Sequence, residues 1–161
     1  MRYTICINFL LTSILFSGCI FKNGLYEIKN DNGVVISSRN FYHGKLHGAA
    51  IDFYQNGDTA SITFYKKGQI DSLMISYYEN GKFQTYTEMQ NDKQHGITKY
   101  FYESGNISQE VNWDDGVLNG IEIFYYENGN IKHKGENKNG IKTGTWYFFT
   151  ENGDTLDIKK Y

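Results

Sequence analysis

Four histidines, two cysteines and scattered carboxylates carry the reactive or metal-binding chemistry available to this 161-residue chain. His43 and His47 stand four apart, a spacing that brings two imidazoles together on a helix. Here they alternate with Gly44 and Gly48, where helix is disfavoured, so their rings need not converge. Zinc takes three or four ligands, and His95 lies far along the chain. The Asp114-Asp115 pair lacks a neighbour that would raise one pKa for acid–base work. Ser104, between Glu103 and Gly105, would act as a nucleophile only on a strand-to-helix elbow, and no helical pattern follows it. Glycine-rich segments here open strands rather than helices, so they form no phosphate cradle. Cys6 and Cys19 sit too early to staple the main body and make neither a CxxC pair nor a metal cluster. These readings predict a non-enzymatic chain with no catalytic residues, no metal site and no cofactor.

Cys19 has a second chemistry. Met1 and Arg2 give a short basic start, and a mostly apolar run follows from Tyr3 to Phe16, too short to span a bilayer comfortably. Leu15-Phe16-Ser17-Gly18 then leads into Cys19. This resembles the lipobox of bacterial lipoproteins, although Phe16 stands where that family usually has Leu. The resemblance implies cleavage after Gly18, a diacylglycerol on the Cys19 thiol and acylation of its new amine. It divides the chain into a signal peptide at 1–18, a lipidated tether at 19–30 and a folded domain at 31–161. The protein would then be held at a membrane of the bacterial envelope, on the periplasmic or surface side. Two or more acyl chains anchor firmly, at about 0.8 kcal/mol per buried methylene. An ordinary secretory signal and a buried first strand are the other readings of the same segment.

What must position any surface chemistry is a repeat. Gly33, Gly57, Gly81, Gly105, Gly129 and Gly153 recur every 24 residues without a gap. Gly48, Ser72, Gly96, Gly120 and Gly144 form a second column, and Gly44, Gly68, Asp92, Gly116 and Gly140 a third. Aromatic pairs keep the same register at Phe53-Tyr54, Tyr77-Tyr78, Phe101-Tyr102 and Tyr125-Tyr126. Each unit reads as a β-hairpin: a strand such as Ile121 to Glu127, an Asn-Gly turn, a return strand, then a glycine-rich link such as Asp115 to Gly120. Asn-Gly between strand-like runs predicts a two-residue type I′ turn, with Gly57, Gly81, Gly105, Gly129 and Gly153 as the structural turn glycines.

Proline is absent while 17 glycines are present, so many short strands with tight turns are expected, and aromatics at 17% of the chain argue against disorder. On the first strands, positions 49, 51 and 53 and their equivalents are mostly apolar, which predicts that they form the core face. The alternate positions mix Asp52, Ser76, Thr98 and Glu122 with aromatics, giving a face only partly wet. The sequence therefore predicts an all-β fold, an elongated antiparallel β-meander of 24-residue hairpin repeats, with roughly ten strands. Tyr54, Tyr78, Tyr102 and Tyr126 fall on the less apolar face as a possible binding surface. The net charge is −2 with no basic cluster, so no nucleic-acid partner is expected.

The Gly-x-x-x-Gly start, the aromatic pair and the Asn-Gly turn together resemble the MORN-repeat variant family. Ser72 and Asp92 at two glycine columns and Lys99 in the apolar ladder are departures. Many bacterial members are labelled as YwqK-type antitoxins, so the resemblance implies either a toxin-neutralising, immunity-like protein or, more generally, a binding or structural module. Export sits badly with a cytoplasmic antidote. The leading expectation is a lipid-anchored envelope module that binds a protein or an envelope glycan. Lipid-headgroup binding, the role proposed for some eukaryotic relatives, is opposed by the acidic balance.

Overall fold

Alternating β-branched and aromatic residues favour strands, and a glycine every few residues opposes helix. The computed structural model describes residues 22–161 and contains strands as its regular elements throughout that range. In chain order they are β1 Gly24–Lys29, β2 Val35–Tyr42, β3 Lys45–Phe53, β4 Thr59–Lys66, β5 Gln69–Tyr77 and β6 Phe83–Gln90. They continue as β7 Lys93–Phe101, β8 Ile107–Asp114, β9 Val117–Tyr125, β10 Ile131–Lys138, β11 Ile141–Phe149 and β12 Thr155–Lys160. All twelve lie in one antiparallel sheet in sequence order, an elongated meander of hairpins. Strand number exceeds the expected ten partly because β1 falls within the stretch read as a tether. Gly24 to Lys29 pairs with β2, so the sheet begins at residue 24 rather than 31.

Two kinds of turn alternate, and they are not the ones the sequence motif suggested. At Asn56-Gly57 the loop has three residues. Gly57 N–H donates to the Tyr54 carbonyl (3.0 Å), Tyr54 N–H donates to the Asp58 carbonyl (2.8 Å), and of these residues only Gly57 has positive φ, at +92°. This is a turn closed by a glycine bulge rather than a type I′ turn. The physical reason lies in the Asn side chain: Asn56 Oδ1 accepts from Asp58 N–H at 2.9 Å while its own φ stays negative. Gly81, Gly105, Gly129 and Gly153 repeat the geometry at φ +80°, +97°, +88° and +92°.

The type I′ turns lie at the opposite edge, inside what reads as glycine-rich links. His43-Gly44 (φ +49°, +76°) and Asp115-Gly116 (+50°, +83°) have positive φ at both central residues. The links are therefore two residues long, and Val117 to Gly120 already belongs to β9. Gly120, at φ +115°, sits within the strand where the β8–β9 register shifts.

The core face is also the reverse of the expected one. Register places Ala50, Thr63, Met74, Thr87, Thr98, Val111, Glu122 and Gly135 in one cross-strand row. Ala50, Thr87, Thr98, Val111 and Glu122 in that row are buried, as is Trp146 at 0% exposure. The apolar ladder of Ile51, Ile75, Ile123 and their equivalents lies on the other face and is mostly half-buried, with Ile121 and Tyr147 exposed. Hydropathy alone misassigned the faces because a single-layer sheet has no second layer to cover its more apolar side. Small residues are buried instead where larger ones flank their row: Tyr65, Met89 and Trp113 to one side, Tyr100, Phe124 and Phe148 to the other.

Candidate functional site

Tyr54, Tyr78, Tyr102 and Tyr126 each follow a first strand and open its turn. Their hydroxyls reach one repeat forward. Tyr78 donates to the Phe101 carbonyl (2.7 Å), Tyr102 to Tyr125 (2.6 Å), Tyr126 to Phe149 (2.9 Å), and Tyr54 to Tyr77 in the same way. The four are half-buried, so any ligand would meet their rings rather than their hydroxyls. At the opposite edge the turn N–H groups reach one repeat back: Gly68 to the Leu46 carbonyl (2.8 Å), Gly116 to Gln94 (2.9 Å), Gly140 to Leu118 (2.9 Å). Each repeat is thus tied to its neighbour at both ends of its strands. The tyrosine column begins after Asn30 and ends at Thr150, so the ties stop at the outer hairpins.

The open face carries the hollows. One, of about 550 Å³, is lined by Asp58, Ile62, Tyr77, Glu79 and Asn80 with adjoining turn backbone. The other, of about 540 Å³, is lined by Phe83, Tyr86, Glu88, Ile97, Lys99 and Phe101. Tyr77 stacks on Phe83 at 5.3 Å between ring centroids, and Phe83 lies 5.6 Å from Phe101, so one aromatic band joins the two. These residues sit on the ladder taken for core, which is why sequence reasoning did not select them. The fixed offset between the cross-strand pair Tyr77 and Phe83 and the next repeat's Phe101 was the available signal.

Charges in the second hollow are held internally. Lys99 Nζ lies 3.0 Å from Glu110 Oε1, and Tyr125 donates to Glu110 Oε2 at 3.2 Å. Burial, then the Glu110 charge and hydrogen bond, hold the Tyr125 hydroxyl above its usual pKa. Glu88 Oε2 accepts from Ile97 N–H at 2.9 Å beside Gly96, where a Cβ would collide with that carboxylate. In the first hollow Asp58 takes only the neutral Asn56 amide (2.9 Å), and among the described residues neither Asp58 nor Glu79 is in an ion pair.

The histidines are dispersed. Tyr42 packs against His43 (4.2 Å between centroids) and His47 (5.8 Å), while His95 pairs with Asp114 at 3.4 Å. His133 stacks on Phe124 (4.2 Å) and Phe148 (5.5 Å). Burial lowers its pKa, and Lys142 and Lys132 reinforce that against the opposing Glu122. Among the described residues no three His, Cys, Asp or Glu side chains form a metal-ligand group. Asp114 and Asp115 are exposed and separately engaged, by His95 and by Lys93 (2.7 Å). Cys6, Cys19 and the signal segment lie outside the described residues. Within those residues no helix is long and apolar enough to cross a membrane.

A single-layer β-hairpin repeat sheet with one buried and one open face is a binding or structural scaffold in class. The family profile of the MORN repeat variant matches residues 46–67, 94–115 and 118–139. Each matched segment spans one hairpin closed by a glycine-bulge turn: β3–β4, β7–β8 and β9–β10. The β5–β6 hairpin between them has the same geometry but carries Ser72 at a glycine position, and Asp92 replaces glycine in the turn that follows it. No curated protein matches the chain. The repeat assignment supports a non-enzymatic chain.

Proposed function

We propose that this protein is a lipid-anchored module of a bacterial envelope that binds an envelope protein, or an envelope glycan, on the open face of its repeat sheet. The observation that carries the reading is the aromatic band of Tyr77, Phe83 and Phe101 running between two hollows on a face that no other described residues cover. Phe83 is 46% exposed although it sits mid-sheet. The tyrosines at 54, 78, 102 and 126 tie the repeats that carry this face to one another through their hydroxyls. Anchoring rests on Ser17-Gly18-Cys19 and the apolar run before it. A tether of a few residues between Cys19 and β1 would hold the sheet close to the bilayer.

Two measurements test it. Mass spectrometry of the mature N-terminus should find an acylated Cys19, and Cys19→Ala should release the protein from membranes; an unmodified cysteine or cleavage elsewhere removes the anchor. A photo-crosslinking residue at position 83 should form a defined adduct in cells, while one at Asn32, an exposed turn residue, should not. Equal labelling at both positions, or none at 83, overturns the open-face reading.

A further inference from the structure

The open face has a regular length scale. Strands in a sheet lie about 4.8 Å apart, so successive hairpins repeat every ~10 Å. The first hollow lies on β4–β5 and the second on β6–β7, one hairpin along. A polyproline II segment has three residues per turn and rises about 3.1 Å per residue, so its side chains recur on one side every ~9 Å. Laid across the strands, such a segment would present every third side chain to successive hollows. An extended peptide of this kind is already ordered before binding, which lowers the entropy cost of docking.

The two hollows differ in chemistry. The first has Asp58 and Glu79 beside the ring of Tyr77, with no cation paired to either carboxylate among the described residues. The second is walled by Phe83, Tyr86, Ile97 and Phe101, and its Lys99 and Glu88 are already engaged by Glu110 and Ile97 N–H. The field around the first hollow has one sign: the six glycine-bulge turns along this edge carry seven carboxylates against the single Lys82. Lys82 itself donates to the Ser104 carbonyl of the next turn. A ligand side chain entering here is favoured if it is cationic, through the carboxylates and the face of Tyr77.

We infer that the open face takes an extended, polyproline-like peptide bearing a Lys or Arg three residues from an aromatic or large aliphatic side chain, the cation seated by Asp58, Glu79 and Tyr77 and the apolar group between Phe83 and Phe101. This rests on the open-face reading above and deepens it.

The test uses the full chain in detergent and fluorescein-labelled twelve-residue proline peptides. One carries Lys and Phe three positions apart, a second carries them four apart, and a third has Glu in place of Lys. The first should bind at least tenfold more tightly than either of the others, and its affinity should fall with added salt. Glu79→Gln and Phe83→Ala, both at exposed positions, should each weaken it severalfold while leaving the thermal transition in place. Equal binding of the three-apart and four-apart peptides, equal binding of the Glu peptide, or indifference to both substitutions overturns the inference. Failure of the peptides together with a retained position-83 crosslink to a protein or glycan overturns only this inference. Loss of that crosslink overturns the open-face reading itself.

Discussion

Gly135 has no positive φ, so its backbone does not require glycine. It is glycine because the indole of Trp146 lies flat against it: a Cβ built there would come within 2.5 Å of three indole atoms. Trp146 is fully buried, donates from Nε1 to the Glu136 carbonyl (3.2 Å) and is covered by Lys142 Nζ 4.0 Å above its ring. Gly135→Ala must therefore move the ring. Overpacking of this kind costs about 1–3 kcal/mol, and losing the Nε1 hydrogen bond about 0.5–1.5 kcal/mol. Alanine recovers only about 0.5–1 kcal/mol of strand entropy over glycine. The expected net loss is about 2–3 kcal/mol, a drop of roughly 5–10 °C in Tm at the slope usual for a chain this long. The decisive measurement is a double-mutant cycle by urea denaturation followed by circular dichroism. With Trp146→Val the clash disappears, and Gly135→Ala should then be neutral or slightly stabilising, a coupling near 3 kcal/mol. Equal destabilisation in both backgrounds, or less than about 0.5 kcal/mol in the wild type, would refute the reasoning.

Ser72 holds φ +95°, where a Cβ is strained by about 1–2 kcal/mol, so Ser72→Gly should raise Tm by a few degrees in a thermal melt. Gly129→Val should lower it although nothing lies within 4 Å of that site, because the whole effect is backbone strain at φ +88°; the same sign for both changes counts against the turn assignments. Tyr102→Phe removes one tie to the next repeat and should cost about 0.5–1.5 kcal/mol in denaturant unfolding, with the Tyr78→Phe cost adding to it; no loss in either would mean that the hydroxyls do not couple repeats. Burial makes the His133 imidazole in the folded sheet a poorer proton acceptor than the unfolded one, which takes up a proton near its ordinary pKa of about 6.5. Protons therefore favour unfolding: its contribution is fully present above about pH 6.5, shrinks as pH falls through that value, and levels off below the folded pKa. His133→Phe should show a smaller loss of Tm between pH 7.5 and 5 than the wild type, and identical pH profiles would contradict the burial of that ring.

The 24-residue spacing of glycines and aromatics determined by itself that this chain is a stack of antiparallel hairpins, since each unit must place the same residue types at the same points of a turn. It also located the turn glycines, whose positive φ is a local property that only the backbone near them decides. Turn type was less legible. Asn-Gly suits two loop geometries, and the choice fell to Asn56 accepting the Asp58 N–H, while the type I′ turns went to His43-Gly44 and its equivalents. Which face is buried was not in the pattern at all. Alternation shows that Ile51 and Ala50 point to opposite sides, but it does not say which side neighbouring rows will cover. That depends on register between strands, which sets Tyr65, Met89 and Trp113 beside a row of small residues and leaves Ile75, Tyr77 and Phe83 facing outward. The same register ties each of the four tyrosines read as a possible binding surface to the next repeat, because a hydroxyl's partner 23 residues away is a fact of packing, not of sequence.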